Sequence, residues 1–381
     1  MKVTGDWLTR DSTQAVFAAL QVQGHVALAV GGCVRNALMQ VPVTDVDIAT
    51  DATPEQVQDL ARAANLKSVP TGIDHGTITV VADKLGYEIT TFRADTETDG
   101  RHAIVRFSTD ITEDAKRRDF TMNALYAHAD GTVIDPLTGL ADLKARRVRF
   151  IGDAHARITE DYLRILRFFR FSAWYGNADH GFDADALAAI AETREGLAGL
   201  SRERVGAEMI KLLSAPDPSP AIASMALVGV LHATLPGSQA RALGPLVHLE
   251  QSVDRAPDPL VRLAALGVFD GTALRLSKKD QKRLAQYQSL ISTVMAPAEL
   301  GYRHGRRIAQ DVILLRAAML ERSLDTSDLV TAEKAATQRF PVKPGDLMPA
   351  YSGAALGQKL QEVEDRWIAS GFALSRDELL D

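Results

Sequence analysis

The sequence LAVGGCVRNALMQVPVTDVDIAT, residues 28–50, decides how the first part of the chain folds. It contains an apolar run ending at Gly31 and Gly32, a short helical pattern, and an acidic pair, Asp45 and Asp47. Residues two apart on a strand project from the same face, so a strand here would place both carboxylates side by side. Adjacent carboxylates repel each other unless a cation neutralises them. Mg²⁺ does so in proteins, using carboxylate oxygens together with substrate phosphates.

The glycine pair leads directly into the helical pattern. Because glycine has no Cβ, its backbone can approach an anion closely, and the N–H groups of a first helical turn point toward such an anion. A phosphate-binding turn followed by two carboxylates predicts a site for a nucleotide and a metal ion.

Composition places the chain among globular proteins. The chain is 46% hydrophobic and 24% charged, as globular proteins are. Its length of 381 residues is enough for two or more domains. No run of 18 apolar residues and no signal-peptide core is present, which predicts a soluble, cytoplasmic protein without a membrane span. The net charge is −6, so any surface for a nucleic acid must be a local basic patch.

The single cysteine, Cys33, excludes an internal disulfide and a cysteine zinc site, and it fits a reducing compartment. A lone cysteine can be a nucleophile. Beside Gly32, we interpret it as a small apolar side chain that fills space.

Hydrophobic periodicity predicts an α+β protein. Alternating patterns predict strands and 3.6-residue patterns predict helices, whereas a polar, glycine-containing stretch predicts a mobile loop at 96–106. The predicted elements are helices at 11–22, 54–64 and 116–127 and strands at 25–30, 77–82, 87–92 and 132–134. From residue 158 only helical patterns occur. We therefore predict a head with a small mixed sheet (1–145), an all-helical neck (146–215), and a helical body and tail (216–381).

Five motifs occur in a characteristic order. They are GGCVRN, DVD, RRDFTMNA (117–124), DPLTGLADL (135–143) and EDYLRILRFFRFSAWYG (160–176). In this order and spacing the chain resembles the class II CCA-adding enzymes of the tRNA nucleotidyltransferase and poly(A) polymerase family. It departs from the family pattern at Asn36, where the family has Asp, and at Gln40, where Gly is usual. Both departures concern the glycine loop and leave the acidic pair intact.

The resemblance implies a polymerase β-like nucleotidyltransferase head that uses two Mg²⁺ ions. Asp45 and Asp47 would be the catalytic metal ligands, and Gly32 and Arg35 would bind the triphosphate. Glu88, on a predicted strand, could be a third carboxylate or a solvated strand residue.

The segment RRDFTMNA contains two further candidates near the nucleotide. For Arg118 the resemblance implies a contact with the nucleotide, which we prefer over an Arg–Asp pair that only fixes the segment to the sheet. For Asp119 and Asn123 both interpretations stand equally, since a buried polar side chain that positions a sugar does both.

Polar residues recur every third position on a helix predicted to start at Thr159. They are Asp161, Arg164, Arg167 and Arg170. In one interpretation Glu160 and Asp161 complement the helix dipole and the arginines form a solvated face. Three arginines among so many large apolar residues favour a partly enclosed cleft instead.

Asp161 and Arg164 have the chemistry to select a base. Cytosine and adenine each present an amino donor beside a ring acceptor, which matches a carboxylate beside a guanidinium. Uracil and guanine present the reverse order and would be rejected. The resemblance implies the same role for these two residues, with Arg167 and Arg170 reaching the phosphates.

A local basic excess accompanies this helix. Residues 144–170 contain eight basic and three acidic residues, a net of +5 that suits the tRNA acceptor end. A second cluster, Arg303, Arg306 and Arg307, could touch the tRNA elbow or be ordinary surface; we favour surface.

These features predict an enzyme that adds C, C and A to tRNA from CTP and ATP without a template, with no membrane and no obligate protein partner. A poly(A) polymerase is the alternative, but residues 69–81 lack its basic segment and the chain ends with the acidic RDELLD. The full length of residues 90–114 favours complete CCA addition over addition of C alone. A third alternative, a non-catalytic RNA-binding protein, is disfavoured by the presence of Asp45 and Asp47.

Overall fold

The computed structural model describes residues 1–73, 76–99 and 102–381. Its described strands are β1 Ala27–Val30, β2 Asp47–Thr50, β3 Lys67–Gly72, β4 Thr77–Ala82, β5 Leu85–Thr91, β6 Arg93–Asp99, β7 His102–Phe107, β8 Tyr126–Ala127 and β9 Val133–Ile134. Seven form a sheet in the order β3-β4-β5-β2-β1-β8-β9, in which β2 and β5 are parallel and the other neighbours antiparallel. The predicted mixed sheet is confirmed.

Helices make up most of the remaining described structure. They are α1 Asp6–Thr9, α2 Asp11–Gln21, α3 Gly32–Leu38, α4 Pro54–Ala63, α5 Ile111–Lys116, α6 Gly139–Lys144, α7 Ala154–Glu160, α8 Leu163–Tyr175, α9 Ala184–Thr193, α10 Arg202–Leu213, α11 Ser219–Leu227, α12 Val230–Thr234, α13 Leu243–Ser252, α14 Pro259–Ala265, α15 Lys278–Ile291, α16 Pro297–Met319, α17 Thr326–Ala335, α18 Gly353–Ala369 and α19 Arg376–Leu380. After β9, the described part of the chain contains helices and no strands. The predicted α+β class is therefore confirmed.

Strands β1 and β2 lie at the centre of the sheet because both are apolar and buried. Leu28 and Val30 of β1 belong to one core with Ala49 of β2 and Tyr126 of β8. β2 pairs with β1 on one side and with β5 on the other, and its first residue, Asp47, is in register with Glu88 of β5.

Residues 116–127 do not form the predicted helix. The α5 helix ends at Lys116, and a short 3-10 turn and β8 follow. The Asp119 carboxylate accepts hydrogen bonds from the Phe120 N–H at 2.8 Å and from the Asn123 side chain at 2.9 Å. Such local bonds compete with the hydrogen bonds of a helix.

The prediction of a loop at 96–106 is wrong for the described part of that segment. Strands β6 and β7 pair antiparallel, with Arg93 opposite Phe107 and Asp99 opposite His102. Pairing satisfies backbone groups that a loop would leave to water. Gly100 and Arg101 lie outside the described residues, as do Asp74 and His75 of the segment compared with poly(A) polymerases.

The helix predicted to start at Thr159 is two helices, α7 and α8, separated by Asp161 and Tyr162. Asp161 has an extended backbone (φ −154°, ψ 102°), and its Oδ1 accepts the Leu163 N–H at 3.1 Å. The aspartate therefore caps the start of α8 instead of projecting from a continuous helix.

The chain forms two compact units. The first contains residues 1–208 and 227–234, and the second contains 209–226 and 235–381. The boundaries fall within α10 and next to the end of α11, and α12 returns to the first unit. The three-part division predicted from the sequence stays a prediction.

Helix α16, in the second unit, is interrupted at Gly305. This residue has φ 78° and ψ 164°, a conformation that glycine adopts without a Cβ clash. Residues 306–319 therefore run in a different direction from the first part of the helix. None of the described helices is long and apolar enough to cross a membrane.

Candidate functional site

The acidic pair lies where the chain enters the centre of the sheet. Asp47 is the first residue of β2 and stands in register with Glu88 on the parallel strand β5. Asp45 precedes the strand, so the prediction that both carboxylates share a strand is wrong for Asp45. The Thr44 hydroxyl donates to Asp45 Oδ2 at 2.9 Å.

The neighbouring charges act on Asp47. Burial raises the pKa of Asp47 to about 6, the charges of Glu88 and Asp45 add to the increase, and Arg118 opposes it. A divalent cation bound here would neutralise this repulsion, and carboxylate oxygens are the ligands that such hard cations prefer. The donor set therefore fits a divalent metal ion. In the part of the chain that the structure describes, no three His, Cys, Asp or Glu side chains gather into a metal site, so Glu88 as a third ligand stays a hypothesis.

The glycine turn lies beside this pair. Gly31 has φ 71°, and its N–H donates to the Leu125 carbonyl at 3.1 Å. A Cβ on Gly31 would lie 3.5 Å from Arg118 Nη1, so this turn and Arg118 are neighbours. Gly32 is the first residue of α3.

Cys33 follows the turn and faces the core. Its thiol lies 3.4 Å from the Val30 carbonyl and 3.8 Å from the Asp47 carbonyl. Burial and the charge of Asp47 raise the pKa of Cys33 to about 11, so the thiol is protonated at neutral pH. This environment suits the apolar filler that we inferred.

The two family departures have local explanations. Asn36 Oδ1 accepts hydrogen bonds from Arg35 Nη2 at 2.8 Å and Nε at 3.2 Å, and Asn36 Nδ2 donates to the Pro42 carbonyl. Gln40 has φ 58°, the left-handed conformation typical of a helix C-terminus. Glycine adopts it more readily, so Gln40 adds strain at the position where Gly is usual.

Arg35 is buried between α3 and α8. Its guanidinium donates to Asn123 Oδ1 at 2.5 Å and to the Tyr175 hydroxyl at 2.9 Å, and it lies 4.0 Å from the centre of the Tyr175 ring. With the bonds to Asn36, these contacts use four of its five N–H groups. Arg35 thus cross-links two helices, and its contact with a triphosphate stays a prediction.

Asp119 and Asn123 extend this cross-link. Asn123 donates to Asp119 Oδ1, and Asp119 Oδ2 accepts from Arg167 Nε at 2.8 Å and Nη2 at 2.5 Å. Burial alone would raise the pKa of Asp119, but Arg167 and the hydrogen bonds hold it below its usual value. A chain of polar contacts therefore runs from Tyr175 through Arg35 to Arg167.

Arg118 is held by a buried acid that the sequence analysis missed. Asp114 is fully buried and accepts from Arg117 at 2.7 Å, from Arg118 at 3.1 Å and from the Tyr126 hydroxyl at 2.7 Å. The signal was present, because Asp114 precedes the two arginines by three and four residues, the spacing of neighbours on a helix.

Asp161 is engaged by protein partners on both oxygens. Oδ1 caps α8, and Oδ2 accepts from Arg204 Nη2 of α10 at 2.7 Å. The next residue, Tyr162, lies directly against Gly196, where a Cβ would come within 2.1 Å of its ring. This close approach fixes the break between the two helices.

No described hydrogen bond joins the side chains of Arg164 and Asp161, although the Arg164 backbone N–H donates to the Asp161 carbonyl at 2.9 Å. The Arg164 side chain pairs with Glu160 and donates to the carbonyls of Arg157 at 2.7 Å and Arg117 at 3.2 Å. These bonds use three of its five N–H groups. Arg157 also binds Glu160, at 2.7 Å, so one carboxylate orients two arginines.

The arginines of α8 are only partly exposed. Arg164 and Arg170 have 13% of the side chain exposed and Arg167 has 31%. Arg170 pairs with Glu208 at 2.6 Å. Each of the three is paired with an acid, so their position on a cleft and the contact of Arg167 and Arg170 with phosphates stay predictions.

Part of the predicted basic patch remains accessible. Lys144, Arg146, Arg147 and Arg149 are exposed. Arg149 binds Asp142 at 2.8 Å, with 46% of its side chain still exposed. These four residues, the neck patch, are distinct from the paired arginines of α8.

Comparisons with known proteins identify the family. Residues 27–149 match the family described as the poly A polymerase head domain, and residues 181–241 match the probable RNA and SrmB-binding site of polymerase A. The chain is 34% identical to CCA tRNA nucleotidyltransferase 1, mitochondrial, of Mus musculus over 94% of its own length and 86% of the relative. This chain belongs to the CCA tRNA nucleotidyltransferase family. The chain is also 44% identical to the CCA-adding enzyme of Leuconostoc mesenteroides, over 52% of this chain and 49% of that enzyme.

Solved structures of the family agree with this fold. The Bacillus stearothermophilus CCA-adding enzyme in complex with CTP has a TM-score of 0.72 and 27% identity, covering 94% of this chain and 92% of that one. The Thermotoga maritima CCA-adding enzyme complexed with tRNA also has a TM-score of 0.72, at 18% identity, and shares the fold. Membership of this nucleotidyltransferase family implies a divalent metal ion.

Proposed function

We propose that this chain adds C, C and A to the 3′ end of tRNA, using CTP and ATP without a nucleic-acid template and releasing pyrophosphate. The observation that carries the proposal is the carboxylate pair beside the glycine turn, in a chain similar to CCA tRNA nucleotidyltransferases over 94% of its length.

Asp45 and Asp47 would hold two Mg²⁺ ions, which when bound activate the 3′-hydroxyl and neutralise the triphosphate charge. The raised pKa of Asp47 supports this role, because a carboxylate that is costly to ionise alone gains from a bound cation. Asp45 is exposed and can be reached by a substrate.

Gly32, Arg35 and Arg118 would bind the triphosphate, with Arg167 and Arg170 contributing charge from α8. The proximity of Gly31 to Arg118 supports a common phosphate site. Arg35 of α3 and Arg167 of α8 are joined through Asn123 and Asp119. These contacts would fix the position of α3, which would bind the phosphates, relative to α8, which would read the base.

Asp161 and Arg164 would read the incoming base. The Asp161 carboxylate retains lone pairs beyond the two it uses, and Arg164 retains two N–H groups beyond its described bonds. Their fixation by Arg204 and Glu160 supports a rigid reading edge, which is what discrimination by shape and polarity requires.

The tRNA would bind through the neck patch and through the helical body and tail. Four exposed basic residues on an acidic protein support an electrostatic contact with the acceptor end. Replacing Arg146, Arg147 and Arg149 with Ala should flatten the salt dependence of tRNA binding and leave the affinity for free CTP unchanged. An unchanged slope would place the tRNA elsewhere.

A poly(A) polymerase remains the second candidate, because residues 27–149 match a family described by that activity. One experiment separates the two. The protein is incubated with tRNA lacking its 3′ end and each nucleotide singly and combined, and the ends are sequenced. We expect C-C-A from CTP with ATP; runs of A with ATP alone would favour the polymerase, and no addition would favour an RNA-binding protein.

We place this activity in the cytoplasm. The single cysteine is buried and free, which fits a reducing compartment. The relative from Mus musculus is named as mitochondrial, so fractionation of cells that express the protein is the direct test.

A further inference from the structure

A cavity of about 430 Å³ lies in the second unit and is lined by several arginines. Arg255, Arg306 and Arg307 contribute guanidinium groups, Gln310 an amide and Asp258 a carboxylate. This volume is within the range of ligand-binding cavities, about 300–1,000 Å³. The lining carries a net positive charge in a protein whose overall charge is −6.

Arg255 is fixed from behind. Its Nη1 donates to Gln310 Oε1 at 3.0 Å, and its Nη2 pairs with Asp311. Asp311 is fully buried and also binds Arg283, at 3.1 Å, and the Tyr287 hydroxyl, at 2.5 Å. A guanidinium held in this way needs little ordering when it meets a ligand.

Asp258 offers an anionic ligand little repulsion, because its oxygens are already used. Oδ1 caps α14 through the Leu260 N–H at 3.0 Å, and Oδ2 accepts from Arg283 at 2.5 Å and Arg307 at 2.8 Å. Two guanidinium groups therefore share its single charge.

Arg306 and Arg307 follow the interruption of α16 at Gly305. They have 62% and 68% of their side chains exposed, and each makes one ion pair at 2.8 Å, Arg306 with Glu333 and Arg307 with Asp258. The Arg306–Glu333 pair is exposed on both sides, so a phosphate can replace it at little cost. Arg307 can keep its bond to Asp258 and donate other N–H groups to the same phosphate.

We propose that this arginine pocket binds phosphodiester groups of the RNA substrate. The inference rests on the proposed function, since it takes tRNA as the polyanion that meets the second unit. It also revises our sequence-based preference that Arg303, Arg306 and Arg307 form ordinary surface. Arg303 stays outside the site, because it pairs with Glu299, Glu364 and Asp365.

The test measures tRNA binding by fluorescence anisotropy at several salt concentrations, without nucleotides. R306A/R307A should bind tRNA more weakly and lower the slope of log affinity against log salt by about two, roughly 0.9 for each phosphate that is no longer neutralised. Each single variant should lower the slope by about one. R306K/R307K should keep the slope, because lysine retains the charge, while the affinity falls in part without the guanidinium fork.

Arg241 provides a matched control. It is 72% exposed in the same unit and pairs with Glu321 at 2.8 Å, outside the pocket. R241A should leave the slope unchanged. A slope in R306A/R307A equal to that of R241A, or an equal loss of affinity in the lysine and alanine variants, would overturn the inference.

The same preparations are assayed for CTP incorporation into tRNA lacking its 3′ end. A wild-type protein that adds nucleotides while the slopes do not change refutes only the pocket. A wild-type protein that adds no nucleotides while R306A/R307A lowers the slope refutes the proposed function and leaves the pocket as an RNA-binding site.

Discussion

At the scale of single residues, we expect Asp47 to couple stability to metal binding. Its pKa is about 6 in the folded protein and near 4 in an unfolded chain. Between these values the folded state holds the proton more tightly, so stability falls as pH rises from about 4 to 6. D47N should therefore raise the free energy of unfolding at pH 7 in EDTA by on the order of 2 kcal/mol, and the gain should vanish at pH 4.

Mg²⁺ provides the internal control for this prediction. It should stabilise the wild type and not D47N, and D47N should add no nucleotide. D83N, in the exposed β4–β5 turn, should change neither the free energy of unfolding nor nucleotide addition, because Asn also adopts the left-handed conformation of Asp83 (φ 47°). A D47N variant that is less stable than the wild type in EDTA at pH 7 would contradict the account of the site.

Asp161 decides base choice in the proposed mechanism. In D161A the amino group of cytosine or adenine loses its acceptor, so CTP and ATP incorporation should fall together by about ten- to a hundredfold, for a contact of about 1–3 kcal/mol. Discrimination against UTP should relax. The ratio of CTP to UTP use in single turnovers measures this, because it does not depend on how much enzyme is folded.

R204A separates reading from capping. It removes the ion pair to Asp161 but leaves the carboxylate and its bond to the Leu163 N–H. We expect R204A to lower the CTP to UTP ratio, but by less than D161A, because the carboxylate remains as an acceptor and loses only the contact that fixes it. If D161A lowers stability but leaves the CTP to UTP ratio constant, the aspartate is only a helix cap.

At the scale of elements, α3 and α8 are joined by a polar cross-link. N123A should cost about 1–3 kcal/mol in urea unfolding, because it removes the acceptor of the buried Arg35 Nη1 and a donor to Asp119. Y175F should cost less, about 0.5–1.5 kcal/mol, since the ring stays 4.0 Å from the guanidinium. Equal costs would show that the cross-link is not the stabilising feature.

The break between α7 and α8 depends on Gly196. G196A would place a Cβ 2.1 Å from the Tyr162 ring, so it should destabilise the protein by about 1–3 kcal/mol and shift the CTP to UTP ratio. G199A lies on the same 3-10 segment, where a Cβ meets no described atom within 4 Å, and should change stability by less than about 0.5 kcal/mol. Similar melting temperatures for the two variants would contradict this role of Gly196.

These elements also show how far sequence could predict the fold. The alternation of apolar and polar residues predicted β4 at 77–82, which are its observed bounds. In a half-buried strand, successive side chains face the core and the solvent in turn, so the sequence alternates as well. The break at Asp161 was not predicted, since it depends on Gly196, more than thirty residues away. The helix predicted at 116–127 does not form for a similar reason. Its last residues belong to β8, which pairs with β1, a strand that is distant in the sequence.

For the candidate site, sequence predicted residue types and missed their partners. Asp47 was placed on its strand, and the glycine turn was found beside it. The acids that hold Arg167 and Arg170 of α8, Asp119 and Glu208, come from separate segments. Long-range pairs of this kind follow from tertiary packing and leave no local pattern.

At the scale of the whole molecule, the first unit is completed by α12, which packs against the 3-10 segment Arg194–Gly199. Leu231 of α12 is buried, so L231A should cost about 2–5 kcal/mol and speed amide hydrogen exchange in residues 194–199. Leu227 is 89% exposed and provides the control, because L227A should have no effect. Unchanged exchange at 194–199 in L231A would refute the dependence.

The return of α12 to the first unit also has a consequence for synthesis. A ribosome that has made Glu208 must still add the 26 residues from Met209 to Thr234 before this unit has all its parts. At roughly 5–20 residues per second, the wait is about one to five seconds. Glu208 and Thr234 also leave the ribosome this long apart. In that interval Leu197, which is buried in the folded protein, lacks the packing of α12, and we expect a chaperone to bind the apolar surface around it.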